Sequence, residues 1–167
     1  MEREILRKKH NRFILNMILL IVLVILIGVF IIFHQSQSPF RQIRGEASGI
    51  AKRDAGVQKV DNFYISNLNQ TYYTVGGTNE KNQHLLVVIA KNGGKVTVLN
   101  QKDGLSIDQV KNIITKRDHP QKFFNISPAI YNNQPVWSVG YLNQNKQLCY
   151  CKVQFKNGKI LQLINNV

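Results

Sequence analysis

Residues Ile50-Ala51-Lys52-Arg53-Asp54 return as Ile114-Thr115-Lys116-Arg117-Asp118, and Tyr73-Thr74-Val75-Gly76 returns as Trp137-Ser138-Val139-Gly140, both at an offset of 64 positions. Lys91-Asn92-Gly93 follows as Lys156-Asn157-Gly158, one position out of step, as a single inserted glycine would produce. Three blocks in one order at nearly one spacing mark an internal duplication. The period is too long for a solenoid unit, whose repeats run to about 45 residues, and fits two small modules in tandem. Each module has about 60 residues, a size that buries only about 60% of its unfolded surface and is marginal alone. The two are therefore expected to lean on each other.

Ahead of the repeat, the chain from Phe13 to Phe33 is apolar except for Asn16. A helix of this length crosses a hydrocarbon layer of about 30 Å. It lacks the short apolar core and small-residue site of a cleavable signal, and none of its faces is polar, which argues against a core helix. Arg3, Arg7, Lys8, Lys9 and Arg12 crowd the preceding segment, whereas basic residues after the span are sparser. The denser cluster favours the cytoplasmic side. The expected plan is a cytoplasmic basic tail (1–12), a transmembrane helix (13–33), a first module (34–101) and a second (102–167), with both modules extracytoplasmic.

Within the modules the signals are local and physical. Ser38-Pro39 reads as a helix start, Phe40, Ile43, Ala47, Ile50 and Ala51 recur at helical spacing, and Gly56 reads as a stop. Ser106-Ile107-Asp108-Gln109 has the form of a capping box, flanked by Leu105 and Val110 as a hydrophobic staple, and His119-Pro120 closes that helix. Strand patterns follow each helix: 63–66, 71–76, 84–90 and 95–99 in the first module, and 122–130, 135–142, 147–155 and 160–164 in the second. Asn92-Gly93-Gly94 and Asn157-Gly158 supply hairpin turns because Asn and Gly accept positive φ. One helix followed by an antiparallel meander, twice over, is an α+β architecture.

Cys149 and Cys151 are the only cysteines. Two positions apart on a strand they share a face with Val153 and Phe155, so both are expected in the core as small hydrophobes. A metal or redox Cys-x-Cys would need further ligands or an exposed thiolate. From residue 34 onward, 17 Lys and Arg face seven Asp and Glu, a net charge of +10. Such a surface favours anionic lipid head groups or an anionic wall polymer. Nucleic acid fits neither the topology nor the scatter of the basic residues. Arg41, Arg44, Lys52, Arg53, Lys116 and Arg117 are the candidate basic surface.

No catalytic constellation emerges: there is no Gly-x-Ser-x-Gly, no His-Glu-x-x-His and no Ser-x-x-Lys. The four histidines and the carboxylates are scattered. Asp54 and Asp118 occupy equivalent repeat positions beside Lys and Arg, as surface charges at helix ends would. No enzyme, cofactor or metal site is expected. The aromatics on the central strands, Tyr72, Tyr73, Trp137 and Tyr141, read either as packing or as a protein-binding face. Tyr73, Trp137 and Tyr141 are the candidates for the latter.

The anchor Phe13–Phe33, the paired Tyr73-Thr74-Val75-Gly76 and Trp137-Ser138-Val139-Gly140 strands and the Lys-Asn-Gly hairpins together resemble the TseB-like family of Gram-positive bacteria, whose members are described as cell-wall elongation regulators with tandem PepSY-like, cystatin-like domains. The resemblance implies a non-enzymatic, membrane-anchored adaptor that binds a penicillin-binding transpeptidase during peptidoglycan synthesis. An inhibitor or folding helper of an extracytoplasmic peptidase is the alternative such modules suggest. Cys149-Tyr150-Cys151 is not part of the family pattern.

Overall fold

The structure, a computed structural model, describes residues 16–31 and 38–165. It divides into two compact units, Met1–Ile43 and Arg44–Val167. In the first, residues 16–31 are helical (α1) and almost every side chain is exposed. Sixteen residues span about 24 Å at 1.5 Å each, and no helix among the described residues is long and apolar enough to cross a membrane. The ends of the expected span, Phe13–Leu15 and Ile32–Phe33, and the basic tail 1–12 lie outside the described residues.

All strands belong to the second unit. After α2 (Ser38–Ala55) come β1 (Val57–Asn67), β2 (Thr71–Asn79), β3 (His84–Ala90) and β4 (Val96–Asn100). A single 3-10 turn, Gln101–Asp103, leads into α3 (Ile107–Asp118), then β5 (Lys122–Tyr131), β6 (Gln134–Leu142), β7 (Leu148–Gln154) and β8 (Ile160–Asn165). Each set of four forms its own antiparallel sheet in sequence order, β1-β2-β3-β4 and β5-β6-β7-β8. The fold is α+β, with one helix and one meander in each half.

Local chemistry explains the boundaries. Gly56, at φ +67°, turns the chain from α2 directly into β1, which begins six residues before its hydrophobic pattern does. The early part reads as polar because β1 is an edge strand, and it carries register shifts between Val57 and Lys59 and between Val60 and Asn62. The capping box of α3 forms as the sequence predicts: Ser106 Oγ accepts from Gln109 N, and Gln109 Oε1 accepts from Ser106 N at 2.8 Å. His119 closes the helix in the left-handed conformation and donates its N–H to Thr115 O.

Pairing register assigns each strand two faces. In the first sheet Val75, Val87, Leu85 and Ile89 pack beneath Ala47 and Ala51 of α2. In the second, Trp137, Val139, Tyr141, Cys149, Cys151 and Val153 pack with Val110 and Ile114 of α3. The opposite face of the first sheet is also covered. Tyr72, Val88 and Ala90 bury against Ala129 and Val136 of the second module, and Leu86 joins the core that holds Trp137. This is why β3 is apolar on both faces, and why Arg44–Val167 is one compact unit rather than two.

Candidate functional site

The second sheet is half covered. Its helix side is sealed, whereas much of its other side opens into a groove of about 620 Å³, within the roughly 300–1,000 Å³ of ligand sites. Cross-strand register sets its floor in rows. Ser138, Lys152 and Gln162 stand side by side across β6, β7 and β8, and Gly140, Tyr150 and Ile164 form the next row. Ile65, Asn67 and Leu68, at the end of β1 and its turn, form a wall with Phe124 and Asn125 of β5.

Two features keep this floor open and apolar. A side chain at Gly140 would press on the Tyr150 ring, with a Cβ 3.3 Å from its Cε1, so glycine lets Tyr150 lie close to the sheet. A register shift between Phe123 and Asn125 re-aims the chain. Phe123 packs into the α3 core, while Phe124 is 53% exposed, Tyr150 44% and Ile164 42%. Scattered exposed apolar residues are ordinary, but three lining one groove are a recognition feature.

Among the described residues, the groove has one charged lining residue. Lys152 Nζ lies 3.7 Å from the Tyr131 ring centroid and donates to Gln162 Oε1 at 2.5 Å. Partial burial lowers its pKa from the ordinary lysine value. Among the described residues no Asp or Glu lines the groove, so the site offers an ammonium, amides, a hydroxyl and aromatic faces. Among the described residues, no group of three or more His, Cys, Asp or Glu is placed to hold a metal ion.

The aromatic candidates drawn from the sequence need correction. Trp137 is 1% exposed and Tyr141 fully buried, both on the α3 side of the sheet. Trp137 Nε1 donates to Leu105 O at 3.1 Å, which satisfies its one donor inside the core. Tyr73 is half-buried in the α2 core and stacks on Phe63 with ring centroids 6.3 Å apart. Trp137 and Tyr141 are packing residues, because a binding face requires atoms a partner can reach, whereas Tyr73 is only partly buried. In the groove the reachable rings are Tyr150 and Phe124. The strand alternation that sends Cys149 and Cys151 inward also sends Tyr150 outward, so that signal was present in the sequence. Both cysteines are free and buried.

The candidate basic residues Arg41, Arg44, Lys52, Arg53, Lys116 and Arg117 are all exposed, the first four on α2 and the last two on α3. Arg53 pairs with Asp54 at 2.7 Å, and Arg117 Nε lies 3.6 Å from Asp118. Asp118 is more than a helix-end charge: its Oδ2 accepts the Tyr141 hydroxyl at 2.5 Å. The first module has Gly77 where the second has Tyr141, so Asp54 has no counterpart of that bond.

The fold is an α+β chain whose two meanders share one unit, with an open groove on the second sheet. The comparisons narrow the class. The family model described as the cell wall elongation regulator TseB-like domain matches residues 46–90. The solved structure of the YpmB protein from Bacillus subtilis matches with a TM-score of 0.65 at 29% identity, covering 72% of this chain and 95% of that one. Both findings make the chain similar to the TseB-like family. A crystal structure described as a lipoprotein from Clostridium difficile matches at TM-score 0.39 and 18% identity, over 73% of this chain and 91% of that one, too distant to bear on fold or function. No curated protein matches this chain at comparable significance.

Proposed function

We propose that this chain is a membrane-anchored, extracytoplasmic, non-enzymatic regulator of cell-wall synthesis that acts by binding a penicillin-binding transpeptidase. The observation that carries this reading is the cell wall elongation regulator match across α2 to β3. The apolar Phe13–Phe33 segment with its basic flank supports an anchor with the N-terminus in the cytoplasm. Anchoring holds regulator and membrane-bound synthase in one plane, which raises their effective concentration without any new contact. The exposed cations of α2 and α3 add attraction to anionic lipid or wall polymer, a contribution screened by salt.

The test is crosslinking in intact cells followed by identification of the captured protein, alongside protease treatment of protoplasts. A captured transpeptidase, with digestion of the chain beyond His34, is the expected result. Capture of an extracytoplasmic peptidase without a transpeptidase would transfer the reading to an inhibitor or folding helper. Protection of the C-terminal part would reverse the topology. The association should weaken as ionic strength rises.

A further inference from the structure

The duplication supplies a template for what the open groove holds. In the first module, the face opposite α2 is occupied by a strand: β5 lies across β1, β2 and β3. Thr74, fully buried on that face, donates its hydroxyl to the main-chain oxygen of Pro128 at 3.0 Å. Val88, its partner across β2 and β3, packs in the cluster that contains Ala129. The second module repeats this arrangement at the offset of 64. Ser138 stands for Thr74, Lys152 for Val88, Gly140 for Gly76 and Tyr150 for Leu86. The pairings are conserved in kind, with Thr74 opposite Val88 and Ser138 opposite Lys152, and Gly76 opposite Leu86 and Gly140 opposite Tyr150. What differs is the cover, since Leu86 is 5% exposed and Tyr150 is 44% exposed.

We propose that the groove of the second module takes an extended, strand-like segment of a partner protein bearing a carboxylate, seated as β5 is seated on the first module. Ser138 donates to a main-chain carbonyl of that segment, as Thr74 does to Pro128. Tyr150, Ile164 and Phe124 bury its apolar side chains. Lys152 replaces the apolar Val88, so where β5 presents Ala129 the partner presents Asp or Glu. Among the described residues, no carboxylate lines the groove to satisfy the ammonium from within. A second copy of this chain fits poorly as the occupant, because two chains of formal charge +13 repel. The inference rests on the reading above only in taking the partner to be an extracytoplasmic protein.

The test uses the full-length protein in intact cells with a photo-crosslinking residue at position 150, and a control at the exposed Val98. The captured peptide is identified by mass spectrometry in the Lys152→Glu, Lys152→Met and parent backgrounds. The expected result is an adduct at position 150 to a segment containing Asp or Glu. Its yield should fall about fivefold with Lys152→Glu, the size of an exposed charge pair, and less with Lys152→Met, while the thermal midpoint of Lys152→Met stays that of the parent. No adduct at 150, an adduct to a second copy of this chain, a segment without a carboxylate, or yields indifferent to Lys152 would each overturn the proposal. A transpeptidase captured through position 98 and not 150 would sink the groove assignment and leave the proposed function standing. A carboxylate-bearing segment of a different protein at 150 would do the reverse.

Discussion

Tyr141 lies in the α3 core, and burial together with its hydrogen bond to Asp118 raises its phenol pKa above the ordinary tyrosine range. Cys151 shares that core, and burial pushes its thiol from 9.0 to about 11. In both cases the folded pKa exceeds the unfolded one, so the stabilisation is complete below the unfolded value and is lost as pH rises. Loss should therefore begin near pH 9 for Cys151 and near pH 10 for Tyr141, with no acid-side counterpart from either group. Urea midpoints measured from pH 7 to 11 should fall along this course. In Tyr141→Phe the fall above pH 10 should be shallower, with neutral-pH stability about 1 kcal/mol lower from the lost hydrogen bond. A midpoint constant to pH 11 would contradict the assignment.

At the scale of elements, the link between the modules is the sensitive joint. Gly104 follows the 3-10 turn with extended backbone at φ −152°, a conformation open to any residue, so its glycine is required by space alone. A Cβ there would overlap the Phe155 ring, which sits at the end of β7 beside Trp137 with ring centroids 6.1 Å apart. The next residue, Leu105, donates its N–H to Phe155 O at 2.8 Å and accepts from the Trp137 indole. Gly104→Ala should therefore overpack the core at its entrance and cost about 1–3 kcal/mol. The urea midpoint should shift accordingly, with emission from Trp137, the single tryptophan, as the probe. A shift below about 0.5 kcal/mol would mean that Phe155 swings aside freely.

For the whole molecule, the decisive feature is that the first module has two buried faces and supplies only one of the covers. Tyr72, Val88, Ala90 and Leu86 depend on the second module, and the buried Thr74 hydroxyl depends on Pro128. Residues 38–101 expressed alone should expose that apolar face and leave that hydroxyl without its partner, and so lack a cooperative unfolding transition. The full chain should show one transition for the strand-bearing unit. Calorimetry of both proteins checks this, and two separate transitions in the full chain would show the modules to be independent.

Much of the architecture was legible in the residues because it rests on short-range chemistry. The α3 capping box, the turn at Gly56, the Asn-Gly hairpins, and the inward parity of Cys149 and Cys151 are each decided by a few neighbouring residues and the two-residue period of a strand. The duplication itself is a property of sequence alone. What residues cannot announce is which of a strand's two faces meets a helix, which meets the other module and which meets solvent. The same Gly-aromatic-hydroxyl pattern recurs in both halves. Only the packing of β5 across the first sheet covers Leu86 and leaves Tyr150 open, because burial there depends on surfaces brought together from some 60 residues apart. For that reason Trp137 and Tyr141 read either as packing or as a binding face from sequence, whereas tertiary structure assigned them to the core and left the groove to their neighbours.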